Sequence, residues 1–248
     1  MTVLKSQDEI KRMADSCRIV AEVLDGIKEH VAVGVTTKEL DDYGESFILS
    51  KSAKPAFKGY RGYPASVCTS VNEEVVHGIP SSRKLKDGDI ICLDIGVLFR
   101  GFYGDAAITL PVGNISAEAK KLISVTEQSL QAGIEKAIVG NRLFDISSAV
   151  QQCVESEGFS VVRNFVGHGI GRNLHEDPQV PNFGKAGEGA KLVEGMTLAI
   201  EPMVNAGGWE VSVLDDGWTA VTRDRSLSAH FEHTVAITKN GYNVLTKL

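Results

Sequence analysis

The feature that most constrains this 248-residue chain is where it keeps its acids. Asp94 stands inside Ile90-Ile91-Cys92-Leu93-Asp94-Ile95-Gly96, a run whose other members are those of a buried β-strand. Asp105 lies in Tyr103-Gly104-Asp105-Ala106-Ala107, Glu201 in Leu198-Ala199-Ile200-Glu201-Pro202-Met203, and Glu232 in His230-Phe231-Glu232-His233-Thr234-Val235. Carboxylates are almost never fully buried unless they are paired or bound to metal. Taken singly, an Asp in such a run reads as an edge, bulge or turn-cap residue, and a Glu before Pro as exposed. His168, framed by Gly167 and Gly169, reads singly as a loop residue satisfied by backbone. Four such acids and a histidine are harder to dismiss together. If the acids converged, each like-charged pair at about 4 Å and an effective dielectric of about 20 would cost about 4 kcal/mol. Their sum would rival the roughly 5–15 kcal/mol that holds a typical domain together. Two divalent cations would cancel four carboxylates, and an oxygen-rich set suits hard or borderline ions. The spacing alone leaves open whether the acids do converge.

The surrounding pattern is mixed. Ser6 with Glu9 forms a capping box, and Ile10, Met13, Cys17, Val20, Leu24 and Ile27 then recur on one helical face. Thr36 and Glu39 repeat the signal before Leu40, Tyr43, Phe47 and Ile48. After a Gly- and Pro-containing loop over 52–64, residues 65–71, 89–96 and 102–110 read as strands, the last two as a hairpin. A helix is expected over Ser116–Val139, and a second one capped by Asp145 and ending near Gly158. Strands are expected over 159–166, 196–204, 211–214, 218–222 and 230–238, with Lys239-Asn240-Gly241-Tyr242 turning into a last one. The order helix, helix, strands, then helix, helix, strands suggests two related halves, although no residue-level repeat is visible. Segregated helices and antiparallel strands make the expected class α+β, in a single domain spanning 1–248.

Bulk properties exclude several classes. The net charge of −6 argues against a nucleic-acid footprint, which shows a basic face. The charged N-terminal stretch has no apolar signal core, and no run is long enough for a membrane span. Cys17, Cys68, Cys92 and Cys153 form no C-x-x-C pair, so they read as reduced thiols in a cytoplasmic protein. His175-Glu176-Asp177-Pro178-Gln179 fails H-E-x-x-H at Gln179, and Pro178 breaks the required helix. Gly167-His168-Gly169-Ile170-Gly171-Arg172 fails the dinucleotide fingerprint at Arg172. Neither a phosphate-binding P-loop nor a G-x-S-x-G elbow is present.

The spacing of Asp94 and Asp105, then G-H-G-I-G around His168, A-I-E-P-M around Glu201 and F-E-H-T around Glu232 resembles type I methionine aminopeptidases. The resemblance runs from about Lys5 to the C-terminus and includes Gly62–Pro80 and Asp216–Thr234. It implies the pita-bread (creatinase/aminopeptidase) fold and removal of N-terminal methionine from nascent chains whose second residue is small. It also implies two divalent ions, from among Fe, Mn, Co and Zn. Asp94 would chelate one ion, Asp105 and Glu232 would bridge both, and His168 and Glu201 would complete the shell of the other ion. A hydroxide between the ions would be the nucleophile, with Glu201 the proton carrier. The second ion would hold the substrate's α-amino group. His175 would donate to the oxyanion and His77 contact the scissile amide or the residue after it. Tyr60, Tyr63, Cys68 and Trp218 match the methionine pocket, and Asn72, Glu74 (through its carbonyl) and Ser228 match a monovalent-cation site. Leu174 and Phe57 depart from residues that many relatives carry at the pocket.

Two other readings share the fold, and a third does not depend on it. An X-Pro aminopeptidase or prolidase typically carries an added N-terminal domain. A non-enzymatic binding protein on this scaffold would have lost the metal ligands. A non-haem iron oxygenase would need an H-x-D spacing that His168 lacks. The family expectation is a monomer, and a nascent-chain substrate points to transient ribosome contact through the folded surface.

Overall fold

The computed structural model describes residues 2–248. Helices α1 (Gln7–Lys28) and α2 (Thr37–Ser50) come first, each opened by the expected capping box at Ser6/Glu9 and Thr36/Glu39. Strands β1 (Lys54–Pro55), β2 (Val67–Val71), β3 (Glu74–Val76), β4 (Ile90–Phe99) and β5 (Phe102–Pro111) follow. Helices α3 (Ala117–Ile134) and α4 (Leu143–Ser156) open the second half. Then come β6 (Ser160–Val161), β7 (Gly167–Gly169), β8 (Glu176–Val180), β9 (Thr197–Ile200), β10 (Met203–Asn205), β11 (Val211–Val213), β12 (Ala220–Thr222), β13 (Ser228–His230), β14 (Glu232–Thr238) and β15 (Gly241–Val244).

One nine-stranded sheet dominates, in the order β1-β4-β5-β14-β9-β7-β8, with β2 also on β4 and β15 also on β14. Two three-stranded sheets, β13-β10-β6 and β11-β12-β3, complete the structure. Every pairing is antiparallel. The helices pack in pairs on the two halves. Val20, Val23 and Ile27 of α1 meet Ile91, Leu93 and Ile95 of β4, whereas Leu130 and Ile134 of α3 meet Leu198, Ile200 and Val235 from β9 and β14. Burying each such side chain contributes about 1.5–3 kcal/mol relative to exposure. α1 lies so close to β5 that a Cβ on Gly104 would stand 2.8 Å from the Cys17 nitrogen and 2.9 Å from its Cα. The expected α+β class and pita-bread architecture hold.

Several element boundaries differ from expectation, each for a physical reason. The helix expected to reach Val139 stops at Ile134, where three-residue backbone bonds such as Ala137 N to Ile134 O tighten the chain. Ile138, within the expected helix, is 36% exposed. Asp145 is not the cap of α4 but the third residue within it. Its carboxylate accepts from the Arg142 and Gly187 nitrogens, so the helix begins at Leu143. The strand expected over 159–166 shrinks to Ser160–Val161, and that over 218–222 to Ala220–Thr222, because Asp216 holds the Trp218 and Thr219 nitrogens in a turn.

The expected strands over 196–204 and 230–238 each break into two. β9 ends at Ile200 and β10 starts at Met203 in a different sheet, since Pro202 has no N–H to continue a ladder. β13 and β14 part at Phe231, whose nitrogen bonds the Pro202 carbonyl. Two chains therefore change sheets side by side, at Glu201 and Glu232. β7 and β8, which the pattern did not show, form the far end of the large sheet, and Pro178 is tolerated because β8 is an edge strand.

Candidate metal centre

Strand register brings the acids together. Asp94 of β4 pairs with Ala107 of β5, and Ala107 also pairs with Glu232 of β14. Directly opposed residues share a face, and so do residues two apart on a strand. Asp105, two before Ala107, therefore points to the same side as Asp94 and Glu232. Thr234, two beyond Glu232, pairs with Ala199 of β9, which pairs in turn with His168 of β7. Glu201 lies two beyond Ala199, where β9 has ended. Five groups from β4, β5, β7, β14 and the end of β9 thus converge on one face of the sheet.

Their side chains are largely buried. Asp105 is 4% exposed, Glu232 2% and His168 7%, while Asp94 and Glu201 open partly to the cavity above. Burial raises all four carboxyl pKa values, with neighbouring carboxylates adding to it at Asp105, Glu201 and Glu232. Asp94 Oδ1, Asp105 Oδ1 and Glu232 Oε1 are buried without a hydrogen-bond partner. One ligand atom each from Asp105, His168 and Glu232 lies within 4.8 Å of the others. His168 Nδ1–H donates to the Gly169 carbonyl at 2.8 Å, which leaves Nε2 with its lone pair free, 3.6 Å from Glu201 Oε1. Orphaned buried oxygens beside an unprotonated imidazole nitrogen fit a divalent cation by charge and by donor type. Burial, and then repulsion between the His168 and His175 rings when both are protonated, lowers the His168 pKa to about 3 and leaves it a lone pair.

Above the acids is a cavity of about 130 Å³, large enough for an amino-acid side chain. The expected pocket residues Tyr60, Tyr63, Cys68 and Trp218 all line it, as do His77 and His175. Tyr63 and Trp218 meet edge to face at 5.2 Å, and the Tyr63 hydroxyl donates to the Gly78 carbonyl at 2.8 Å. His175 sits over His168 with ring centres 4.2 Å apart, and Tyr60 stacks on it at 5.3 Å. The Tyr60 hydroxyl bonds His175 Nδ1 at 2.9 Å. His77 packs edge-on against Phe165 and Trp218, and burial lowers its pKa to about 4. Leu174 and Phe57 also reach the lining.

Asn72, Glu74 and Ser228 lie outside the cavity. The Ser228 nitrogen donates to the Asn72 carbonyl at 2.8 Å, and the Ser228 hydroxyl meets Val204 O and Asn205 Oδ1. The Glu74 carboxylate is taken up by Arg83 and the Val71 nitrogen.

Sequence reasoning missed four contributors. Arg61 lines the cavity. His230 places Nε2 3.8 Å from Glu201 Oε2, and both its ring nitrogens lack hydrogen bonds. The Thr234 hydroxyl accepts from the Asp105 nitrogen and donates to the Asp105 carbonyl, fixing that residue's backbone. Lys5, buried, pairs with Glu176, whose carboxylate also accepts from the Asn173 nitrogen and so braces the loop carrying His175. Gly171 makes room for this, since a Cβ there would stand 2.3 Å from Lys5 Cε. His230 and Thr234 could have been found from the alternation around Glu232. Arg61 and Lys5 carry no local signal.

Residues 11–239 match metallopeptidase family M24. The chain is 58% identical over 246 residues to a methionine aminopeptidase of Clostridium perfringens, covering 99% of each. It is 54% identical to methionine aminopeptidase 1 of Bacillus subtilis, over all of both chains. The crystal structure of methionine aminopeptidase from Rickettsia prowazekii superposes with a TM-score of 0.98 at 43% identity, over 99% of this chain and 100% of that one. A prolidase from Pyrococcus horikoshii shares the fold at a TM-score of 0.81 and 24% identity, with 64% of its length covered.

Proposed function

The chain belongs to metallopeptidase family M24, and from that premise we infer that it is a metalloaminopeptidase that removes N-terminal methionine from polypeptides whose second residue is small. The observation that carries this reading is the floor of the cavity: buried, unpartnered carboxylate oxygens and an imidazole on one sheet face, beneath an aromatic wall.

Asp94, Asp105, His168, Glu201 and Glu232 would hold two divalent ions, drawn from Fe, Mn, Co and Zn. When bound, such ions supply positive charge that offsets the carboxylates and lowers the pKa of water toward neutrality. Glu201, flanked by His168 and His230, takes the proton of the attacking water and returns it to the leaving amine. His175 receives the Tyr60 hydroxyl on Nδ1 and so presents Nε2–H to the developing oxyanion, a contact worth about 3–4 kcal/mol in other hydrolases. Burial, then the Arg61 charge, lowers the His175 pKa and keeps this imidazole neutral. His77 contacts the scissile amide. Tyr60, Tyr63, Cys68, Leu174, Phe57 and Trp218 enclose the methionine side chain, whose soft thioether suits aromatic edges and a thiol.

Residues 1–248 act as one catalytic domain, a cytoplasmic monomer with transient ribosome contact. No helix among the described residues is long and apolar enough to cross a membrane. Asn72, the Glu74 carbonyl and Ser228 hold a monovalent cation that steadies the loop behind the cavity.

The test is to strip the protein with chelator, add back Mn(II), Fe(II) or Co(II), and quantify free methionine released from Met-Ala-Ser. Leu-Ala-Ser and Ala-Pro-Ser serve as controls. Metal-dependent release from the first alone is the expected result. Release chiefly from the proline peptide would assign the chain to the X-Pro branch instead.

A further inference from the structure

Acids and rings line the cavity, with one arginine among them, Arg61. It belongs to a single 3-10 turn, Tyr60–Gly62, and its φ of 48° lies in the left-handed region. That conformation costs a non-glycine residue on the order of 1 kcal/mol or more and persists where the surroundings impose it. Gly59 and Gly62 on either side also have positive φ, so the backbone curls tightly and leaves residue 61 exposed at the rim. The guanidinium stands 5.4 Å from the centre of the Tyr60 ring. Tyr60 is in turn stacked on His175 and bonded to it. Among the described residues no carboxylate pairs with Arg61. Its charge is nevertheless felt in the site, where it helps to lower the His175 pKa after burial.

We propose that Arg61 is a specificity-determining residue that favours peptides carrying a carboxylate at the second or third position after the methionine to be removed. The inference rests on the reading that the cavity holds an N-terminal methionine with its carbonyl facing His175. The Tyr60–His175 stack forms the cavity wall beside that carbonyl, and a peptide leaving on that side passes over it. An extended chain advances about 3.3 Å per residue. The side chains of the next residues after the scissile bond therefore pass the guanidinium that lies over Tyr60. An unpaired arginine there contributes little to the fold, and a substrate carboxylate is the partner it lacks. Arginine suits this role because its planar fork can accept a carboxylate in two-point contact while still covering an aromatic ring.

The test compares kcat and KM for Met-Ala-Glu-Ser, Met-Ala-Ser-Ser and Met-Ala-Lys-Ser with the metal-loaded enzyme, at low and high salt. The wild type is expected to prefer the Glu over the Lys peptide by about two- to five-fold in kcat/KM, the range of an exposed ion pair. The preference resides in KM, because the contact is equal in ground and transition states. It shrinks as salt screens the pair. Arg61→Gln brings the ratio near one, and Arg61→Glu inverts it, a result that impaired folding cannot produce. Equal kcat/KM for the Glu and Lys peptides in the wild type, or a preference that survives Arg61→Gln, overturns the inference and leaves the aminopeptidase reading standing. Methionine release from none of the peptides overturns both.

Discussion

Removing the metal should leave a protein whose stability falls as pH rises from 7 to 8. The four acids of the floor have raised pKa values, with Asp94 pushed up to about 7 and the others above the usual carboxylate range. An unfolded chain holds its carboxyls near pKa 4. Between those limits the native state binds protons that the unfolded state has released, so each unit rise in pH costs about 1.4 kcal/mol per proton held. The expected loss is therefore about 1.4 kcal/mol per pH unit for each proton the cluster still holds. For a chain of this size each such proton lowers Tm by roughly 3–6 °C. The buried histidines His77, His168, His230 and His233 act in the opposite sense, having pKa values pushed down to between about 3 and 4. They cost stability only as pH falls through 6.5, where the unfolded imidazoles take up protons. Stopping at pH 8 avoids the ionisation of unfolded thiols. Thermal melts of chelated protein at pH 7.0, 7.5 and 8.0 give the slope. Mn(II)-loaded protein should show the reverse slope, because protons compete with metal for the same oxygens. A chelated protein that melts at the same temperature, or a higher one, as pH rises would refute the claim that the cluster is held together by protons when metal is absent.

Two substitutions probe separate parts of the argument. Glu201→Gln keeps the shape of the carboxylate but cannot carry a proton, and kcat for Met-Ala-Ser should fall by about 10²–10⁴; a loss under tenfold would remove Glu201 from proton transfer. Lys5→Met strands the Glu176 carboxylate, whose side chain is 6% exposed, and should cost about 3–5 kcal/mol in urea unfolding. Adding Glu176→Gln should recover most of that, and a double variant no more stable than the single one would show that the ion pair itself does not matter.

Part of this architecture was legible because acids in apolar runs are costly anywhere else. Asp94, Asp105 and Glu232 announce themselves by breaking an alternation that would otherwise be apolar, and the Ser6/Glu9 and Thr36/Glu39 boxes mark α1 and α2 correctly. Composition and spacing did not show the changes of sheet at Pro202 and Phe231. Each depends on where a neighbouring strand ends, which is a tertiary fact. β7 and β8 were invisible because three glycine-flanked residues and a proline-containing edge strand carry no period. The cap of α4 was misplaced by three residues, at Asp145 and not Arg142, because the Asp145 side chain closes the box from inside the helix. The cavity residues Tyr60, Tyr63, Cys68 and Trp218 were named by family likeness, since a tyrosine beside glycine says nothing by itself.

The position of β14 bears on how the protein is made. It lies in the middle of the large sheet, between β5 from the first half and β9 from the second, yet it is drawn from residues 232–238, near the end of the chain. A polypeptide still lacking those residues has two half-sheets with nothing between them, and a floor without Glu232. β5 and β9 must therefore wait, with one edge each open, for a segment synthesised late, and sheets that pair distant segments form slowly. Metal capture can be completed only when that strand slots in. Catalytic activity would then report that the chain has been made through β14 and correctly closed, and a product ending before residue 232 could not possess it.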